Sequence, residues 1–241
     1  MNIIGIGTPG CRVAECLSKH DNYNIYQIDT HDDNYTNFIM VKEQGNHEAY
    51  EKNYKKLKLK LEGPTTIVLS GSGKITGMIL RLLEQLDNKS VSVLYIKPRL
   101  SDISDIQKTR HKVVSQVLQQ LTRSGLLKEF LIVDNEMVER LVTDSTVVNY
   151  WSPINRIISD TFHMVNVFKN TEPLLKSNNK VPETAKMSTF SLVDFENSTE
   201  NHFYDLQMPR ARSYYFALNE DYIKDNKSLL TNVREFISSR Q

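Results

Sequence analysis

Little in this chain could staple it together or tie it to a surface. Two cysteines, Cys11 and Cys16, occur in 241 residues. With no second Cys pair and no nearby His pair they suit neither a disulfide framework nor a zinc site, and they read as ordinary thiols of one helix. Neither charge is in excess: 30 Lys and Arg against 29 Asp and Glu leave a formal net charge of +1. Without a basic block there is no electrostatic footprint for nucleic acid. No apolar run is long enough to cross a bilayer, so no membrane span is expected. Met1 runs straight into the apolar Asn2-Ile3-Ile4, which leaves no room for a signal peptide and makes the cytoplasm the expected compartment. Glycine is scarce too: there are nine, and six of the nine fall in two short stretches.

Those stretches are Gly5-Ile6-Gly7-Thr8-Pro9-Gly10 and Gly71-Ser72-Gly73-Lys74-Ile75-Thr76-Gly77. Each follows a short apolar strand pattern and leads into a helical one. Glycine permits positive φ and close approach of a ligand to the backbone, and a helix N-terminus offers free N–H groups and partial positive charge. Each junction therefore suits a phosphate. Two such junctions on one sheet suggest a single nucleotide held from two sides. The first stretch is a literal match to the dinucleotide fingerprint, and Asp29 closes the next strand about where an acidic residue would meet a ribose hydroxyl. A Rossmann-type NAD(P)-binding oxidoreductase is therefore one reading. A P-loop fits poorly, because Gly73-Lys74 is followed by Ile75 rather than Ser or Thr and the leading glycine of that motif would fall on Val68.

Periodicity gives an alternating α/β order, which implies a mainly parallel sheet flanked by helices. Strands are expected at Asn2 to Ile6, Asn24 to Asp29, Thr65 to Leu69, Val91 to Ile96 and Phe130 to Val133. Helices are expected at Gly10 to His20, Glu48 to Leu61, Met78 to Leu86, Ser104 to Ser124, Asn135 to Leu141 and Val147 to Phe168. Pro153 shifts the start of the last of these toward Ser152, which would leave Asn149 on a loop. Residues 1–169 form the expected main domain, 170–186 a Lys-, Asn- and Pro-rich linker, and 187–241 a short α+β appendage. In that appendage Met187 to Phe195 and Ala211 to Leu218 read as strands and Asn226 to Arg240 as an amphipathic helix.

Read in order, these stretches resemble the FtsZ branch of the tubulin superfamily. Ile4-Gly5-Ile6-Gly7-Thr8-Pro9-Gly10-Cys11-Arg12-Val13 is similar to that family's opening IGVGGGGCNA, and Gly71 to Gly77 to its GGGTGTG phosphate loop, matching at Gly71, Gly73, Thr76 and Gly77. Gln44-Gly45-Asn46-His47-Glu48 is similar to GANPE, Tyr95-Ile96-Lys97-Pro98 to TKPF, Leu131 to Asn135 to LIVIPN, and Ile158-Ser159-Asp160 to the ISD of a long central helix. The resemblance implies a Rossmann-like nucleotide-binding domain holding GTP or GDP, with Mg²⁺, and an assembly or cytoskeletal module that self-associates into filaments. It sets the nucleotide over Gly7, Thr8, Gly10, Cys11, Arg12, Gly71, Ser72, Gly73, Lys74, Thr76 and Gly77, with the base at Asn135 and Asn149. Asparagine can meet a guanine edge as both donor and acceptor, although either residue could equally serve as a cap or turn.

The departures bear on activity. Arg12 stands where the family has Asn, and Ser72, Lys74 and Ile75 break up the glycine-threonine loop, Ile75 adding apolar bulk where backbone should come close. In the family, an NxDxxD loop after the central helix inserts carboxylates into a neighbouring subunit's site. The corresponding stretch here, Asn166 to Pro173, holds one carboxylate, Glu172, which is left as the catalytic candidate. GTP hydrolysis is therefore expected to be weak or lost, and a non-catalytic interaction protein that keeps only the fold is an alternative. His31-Asp32-Asp33 reads as a solvated loop rather than a metal site, Tyr214-Tyr215-Phe216 as aromatics packed on a helix, and the lysines from Lys52 to Lys60 as a solvated helix face.

Overall fold

The computed structural model describes residues 1–86, 90–142, 149–171, 186–194, 197–225 and 228–239. Strands β1 (Asn2–Ile6), β2 (Asn24–Asp29), β3 (Phe38–Met40), β4 (Thr65–Leu69), β5 (Val91–Lys97), β6 (Glu129–Asp134) and β7 (Met187–Ser188) form one sheet in the order β3-β2-β1-β4-β5-β6-β7. Every pairing in it is parallel. The central strands β1 and β4 are buried along their whole length. Near-continuous apolar runs of this kind are what a parallel sheet covered on both faces requires.

The two faces hold separate cores. Ile4, Ile6, Ile67, Leu69 and Tyr95 pack against α2 (His47–Lys52), α3 (Ile79–Gln85) and α4 (Asp105–Arg123). Ile3, Val68, Leu94 and Ile96 pack against α1 (Gly7–Leu17), α5 (Asn135–Glu139) and α6 (Trp151–Asn170). The helix boundaries follow local chemistry. Ser104 caps α4 in a capping box with Gln107, and α6 begins at Trp151 with Pro153 in its first turn, so Asn149 lies before the helix.

Three expectations need correction. The helix read over Glu48 to Leu61 ends at Lys52, and the rest forms no regular element. Leu57, Leu59 and Leu61 pack on the core while Lys56, Lys58 and Lys60 face solvent, an alternation of period two that no helix can satisfy. Gln85 fixes this segment by donating to the Leu57 carbonyl at 2.7 Å and accepting from the Leu57 N–H at 3.0 Å. The strand read over Met187 to Phe195 is two: β7 extends the main sheet, and β8 (Ser191–Asp194) pairs antiparallel with β9 (Thr199–His202); Phe195 lies outside the described residues. Ala211 to Leu218 forms no strand. Tyr214 and Phe216 instead meet Phe236 of α8 (Leu229–Ser238) edge-on, so their apolar pattern is spent on one helix. A further helix, α7 (Glu220–Asp225), precedes α8. Among the described residues no helix is long and apolar enough to cross a membrane.

Candidate functional site

The chain leaves β1 through α1 toward β2, and leaves β4 through α3 toward β5, in opposite directions along the sheet. The two helices consequently lie on opposite faces, and a crevice opens between them at the carboxyl ends of β1 and β4. Open parallel sheets bind ligands at such a switch point. Both glycine stretches border it, because β1 and β4 are neighbours with Ile6 opposite Leu69.

The first stretch turns from strand into helix without a connecting residue. Gly7, at φ +67°, makes the turn, in a region that side chains with a Cβ rarely enter. A Cβ on Gly10 would lie 2.2 Å from the Val68 carbonyl oxygen, and one on Gly5 2.6 Å from the Gly10 carbonyl oxygen, so these two glycines let α1 press against the sheet. Ile6 gives α1 no side-chain cap and its first turn contains no acidic residue, so no side chain of the helix itself meets its first N–H groups. Thr8 is exposed there, its hydroxyl donating to Asp29 Oδ2 at 3.0 Å. Asp29 Oδ1 accepts from the Thr30 N–H at 2.7 Å, so both carboxylate oxygens are engaged within the fold.

The second stretch is more tightly filled. A Cβ on Gly71 would lie 2.3 Å from the Tyr95 hydroxyl, and one on Gly77 1.9 Å from the His47 carbonyl oxygen. The Thr76 hydroxyl turns inward and donates to the Gly73 carbonyl at 2.8 Å. Lys74 is exposed and makes no ion pair among the described residues, and Ser72 is half-buried. Ile75 sits between the two turns at 7% exposure. Its Cγ2 is 3.1 Å from the Cβ position of Gly7 and 3.8 Å from that of Gly73. One isoleucine methyl thus bridges the two glycine turns.

Of the residues singled out from sequence, Gly7, Thr8, Gly10, Gly71, Ser72, Gly73, Lys74, Thr76 and Gly77 converge on this crevice. Cys11 is fully buried beneath it, its thiol directed at the Gly5 and Ile28 carbonyls at 3.5 and 3.6 Å, and burial pushes its pKa up. Arg12 is turned aside to Asp33 at 3.4 Å, an exposed pair. Asn135 opens α5 at the end of β6, on the same sheet edge but three strands from β1, about 14 Å away at the usual strand spacing. Asn149 is exposed in the turn ahead of α6. Glu172 lies outside the described residues. Tyr95 and His47, which prop the second turn from below, fall in the stretches similar to TKPF and GANPE, but nothing in the sequence shows that either side chain packs under this turn.

The far end of α6 lies at the opposite sheet edge. Asn166 Nδ2 donates to the hydroxyl of Tyr23, which precedes β2, at 3.1 Å, and Asn170 Nδ2 donates to the Asn166 carbonyl at 2.7 Å. These amides cannot reach the crevice of their own chain.

No protein-family model matches the chain, and no curated protein matches it in sequence. Solved structures do. CetZ2 from Haloferax volcanii, described as a GTPγS-bound protofilament, superposes with a TM-score of 0.53 at 15% identity over 68% of this chain and 57% of its own. An empty FtsZ dimer from M. jannaschii gives 0.54 at 11% identity over 73% and 56%. A point mutant of that FtsZ gives 0.51 at 12% identity over 73% and 58%. This chain therefore spans less than three-fifths of the length of the structures it matches, and at these identities the likeness concerns architecture: a seven-stranded parallel sheet flanked by helices, built as in the nucleotide-binding domain of FtsZ and tubulin. The chain has the FtsZ/tubulin-like fold.

Proposed function

We propose that the chain binds a guanine nucleotide in the β1/β4 crevice and works as an assembly module in the cytoplasm, with hydrolysis slow or lost. The observation that carries this reading is the uncapped start of α1, facing the second glycine turn and the exposed Lys74 at the switch point of a sheet with this fold. Backbone donors and a point cation at that position suit phosphate oxygens. The base lies toward Asn135 and Asn149, whose amides offer the guanine edge a donor and an acceptor, and Mg²⁺ accompanies the phosphates.

Head-to-tail self-association is part of this reading, and the placement of α6 is consistent with it. Its Asn166 end lies at the amino edge of the sheet and the crevice at the carboxyl edge, so copies stacked head to tail would bring one chain's amides to the next chain's nucleotide. An amide can hold a water but cannot take its proton, and losing a general base costs about 10²–10⁴-fold in rate.

The test is a fluorescence titration with labelled GTP against labelled ATP, with and without Mg²⁺, alongside pelleting. Saturable, guanine-selective binding supports the reading, and equal affinity for ATP sinks its base assignment. A second reading, an interaction protein that keeps only the fold, is favoured by the Ile75 methyl lying between the turns; a specific partner in a pull-down with no nucleotide response would establish it. The nicotinamide reading has less support because solved structures that share this architecture are FtsZ and CetZ proteins, and NADH fluorescence is expected not to respond.

A further inference from the structure

We propose that the seam between α1 and α6 is an acid-opened latch: proton uptake by the stacked pair His20 and His163 releases the end of α6 from the domain. The opening is independent of what the crevice binds. What it regulates rests on the head-to-tail reading, because the released residues include Asn166 and Asn170.

The end of α6 is held by little else. Its buried residues stop at Phe162, and from His163 to Asn170 every residue is half-buried or exposed. Val165 packs on the margin of the core, Lys169 pairs with Glu129 at 3.2 Å on the surface, and the Phe168 ring stacks on Tyr215 at 5.7 Å between centroids. A segment with so few buried apolar contacts opens locally while the rest of the fold stays closed. Its main polar fastening ends on a histidine. Asn166 Nδ2 donates to the Tyr23 hydroxyl at 3.1 Å, and that hydroxyl lies 3.0 Å from His163 Nδ1. With its oxygen accepting from Asn166, Tyr23 gives its own proton to Nδ1, which can accept it only while that nitrogen is unprotonated. Protonating His163 makes Nδ1 a donor and leaves the O–H of a buried tyrosine without an acceptor.

The surroundings do not absorb the added charge. His20 lies parallel to His163, 3.5 Å between ring centroids and 10° between planes, and its Nε2 is buried with no hydrogen-bond partner among the described residues. A proton on each ring would put two cations in contact. Lys19, beside His20, and Asp160 of α6 also face His163, but they pair with each other at 2.7 Å and so offset one another. Cys16 of α1, facing Ser159 and Arg156 across the same seam, stays a neutral thiol because burial pushes its pKa up. Burial, then His20, holds the His163 pKa below its ordinary value. The closed seam thus excludes the proton and the open one, with the ring in water, accepts it, so the open form gains population as pH falls through about 6.5.

The test is hydrogen exchange of the full chain at about pH 7.5 and pH 5.5, corrected for the intrinsic pH dependence and read on peptides covering residues 163–170, β4 and β5. At both pH values 163–170 should exchange at least about a hundredfold faster than the two central strands, which marks a local opening. Protection of 163–170 should fall about tenfold between the two, the change expected for one proton taken up at an ordinary histidine pKa. His163→Gln, checked first for a cooperative unfolding transition, takes up no proton there and should hold its protection within about threefold. The proposal is overturned if wild-type protection of 163–170 does not respond to pH, if 163–170 exchanges together with β4 and β5, or if folded His163→Gln responds as the wild-type chain does. Should that variant not fold, the wild-type comparison decides by the first two outcomes.

Discussion

The glycines of the two turns do different work. Gly5, Gly10, Gly71 and Gly77 each face an atom less than 3 Å from where a Cβ would sit, whereas Gly73, with ordinary φ of −74°, faces only Ile75 at 3.8 Å. Gly10→Ala should therefore destabilise the protein by about 3 kcal/mol through forced overpacking against the Val68 carbonyl, and Gly73→Ala by less than about 0.5 kcal/mol. Urea denaturation of the two variants checks the contrast, and equal losses would contradict it. The sequence marked all of these residues as turn glycines but could not separate those pressed against neighbouring atoms from the one with room beside it. That distinction depends on Val68, Tyr95 and His47, which the fold brings alongside from elsewhere in the chain. The bulk of Ile75 was legible; its position across both turns was not, because β1 and β4 become neighbours only in the folded sheet.

The seam between α1 and α6 carries a titratable cluster. His20 and His163 stack at 3.5 Å between ring centroids with 10° between planes, His163 Nδ1 meets the Tyr23 hydroxyl at 3.0 Å, and His20 Nε2 is buried without a hydrogen-bond partner among the described residues. Lys19, paired with Asp160, faces the same seam. Burial, then the neighbouring His20, holds the His163 pKa below its usual value, and burial does the same for His47 and His111. A histidine whose pKa is depressed on folding favours the neutral native state, so its contribution is complete above the unfolded value of about 6.5 and is lost as pH falls through and below it. Stability in urea should decline from about pH 7 to pH 5, and His163→Gln should shallow that decline; an unchanged slope would show that the stack does not titrate on unfolding. At this scale the regular elements were readable because their apolar spacing is their own. Beyond Lys52 the lysine-rich composition suggests a continued helix, whereas Leu57, Leu59 and Leu61 alternate strictly with lysines and the segment forms no regular element.

At the level of the whole molecule, the strand-helix alternation was sufficient to give a parallel sheet with both glycine turns at one edge, and the structure has that arrangement. The region after residue 186 was harder to read, since β7 owes its existence to pairing with β6 rather than to any pattern of its own. The opposite placement of the crevice and the end of α6 leads to a concentration-dependent prediction. Asn166→Asp with Asn170→Asp should raise GTP turnover only where chains associate, by about 10-fold or more if a water-orienting base is restored. Turnover that rises equally in dilute, monomeric protein would contradict a site shared between copies. The central claim, that the β1/β4 crevice holds a guanine nucleotide's phosphates, is tested most directly by calorimetric titration of GDP into wild-type protein and into Gly73→Val, a position where a Cβ meets nothing closer than the Ile75 methyl at 3.8 Å. The account predicts saturable binding by the wild-type protein and at least about a tenfold loss of affinity in Gly73→Val, once urea denaturation has shown that variant to be folded; unchanged affinity in that variant, or no heat of binding in the wild-type protein, would contradict it.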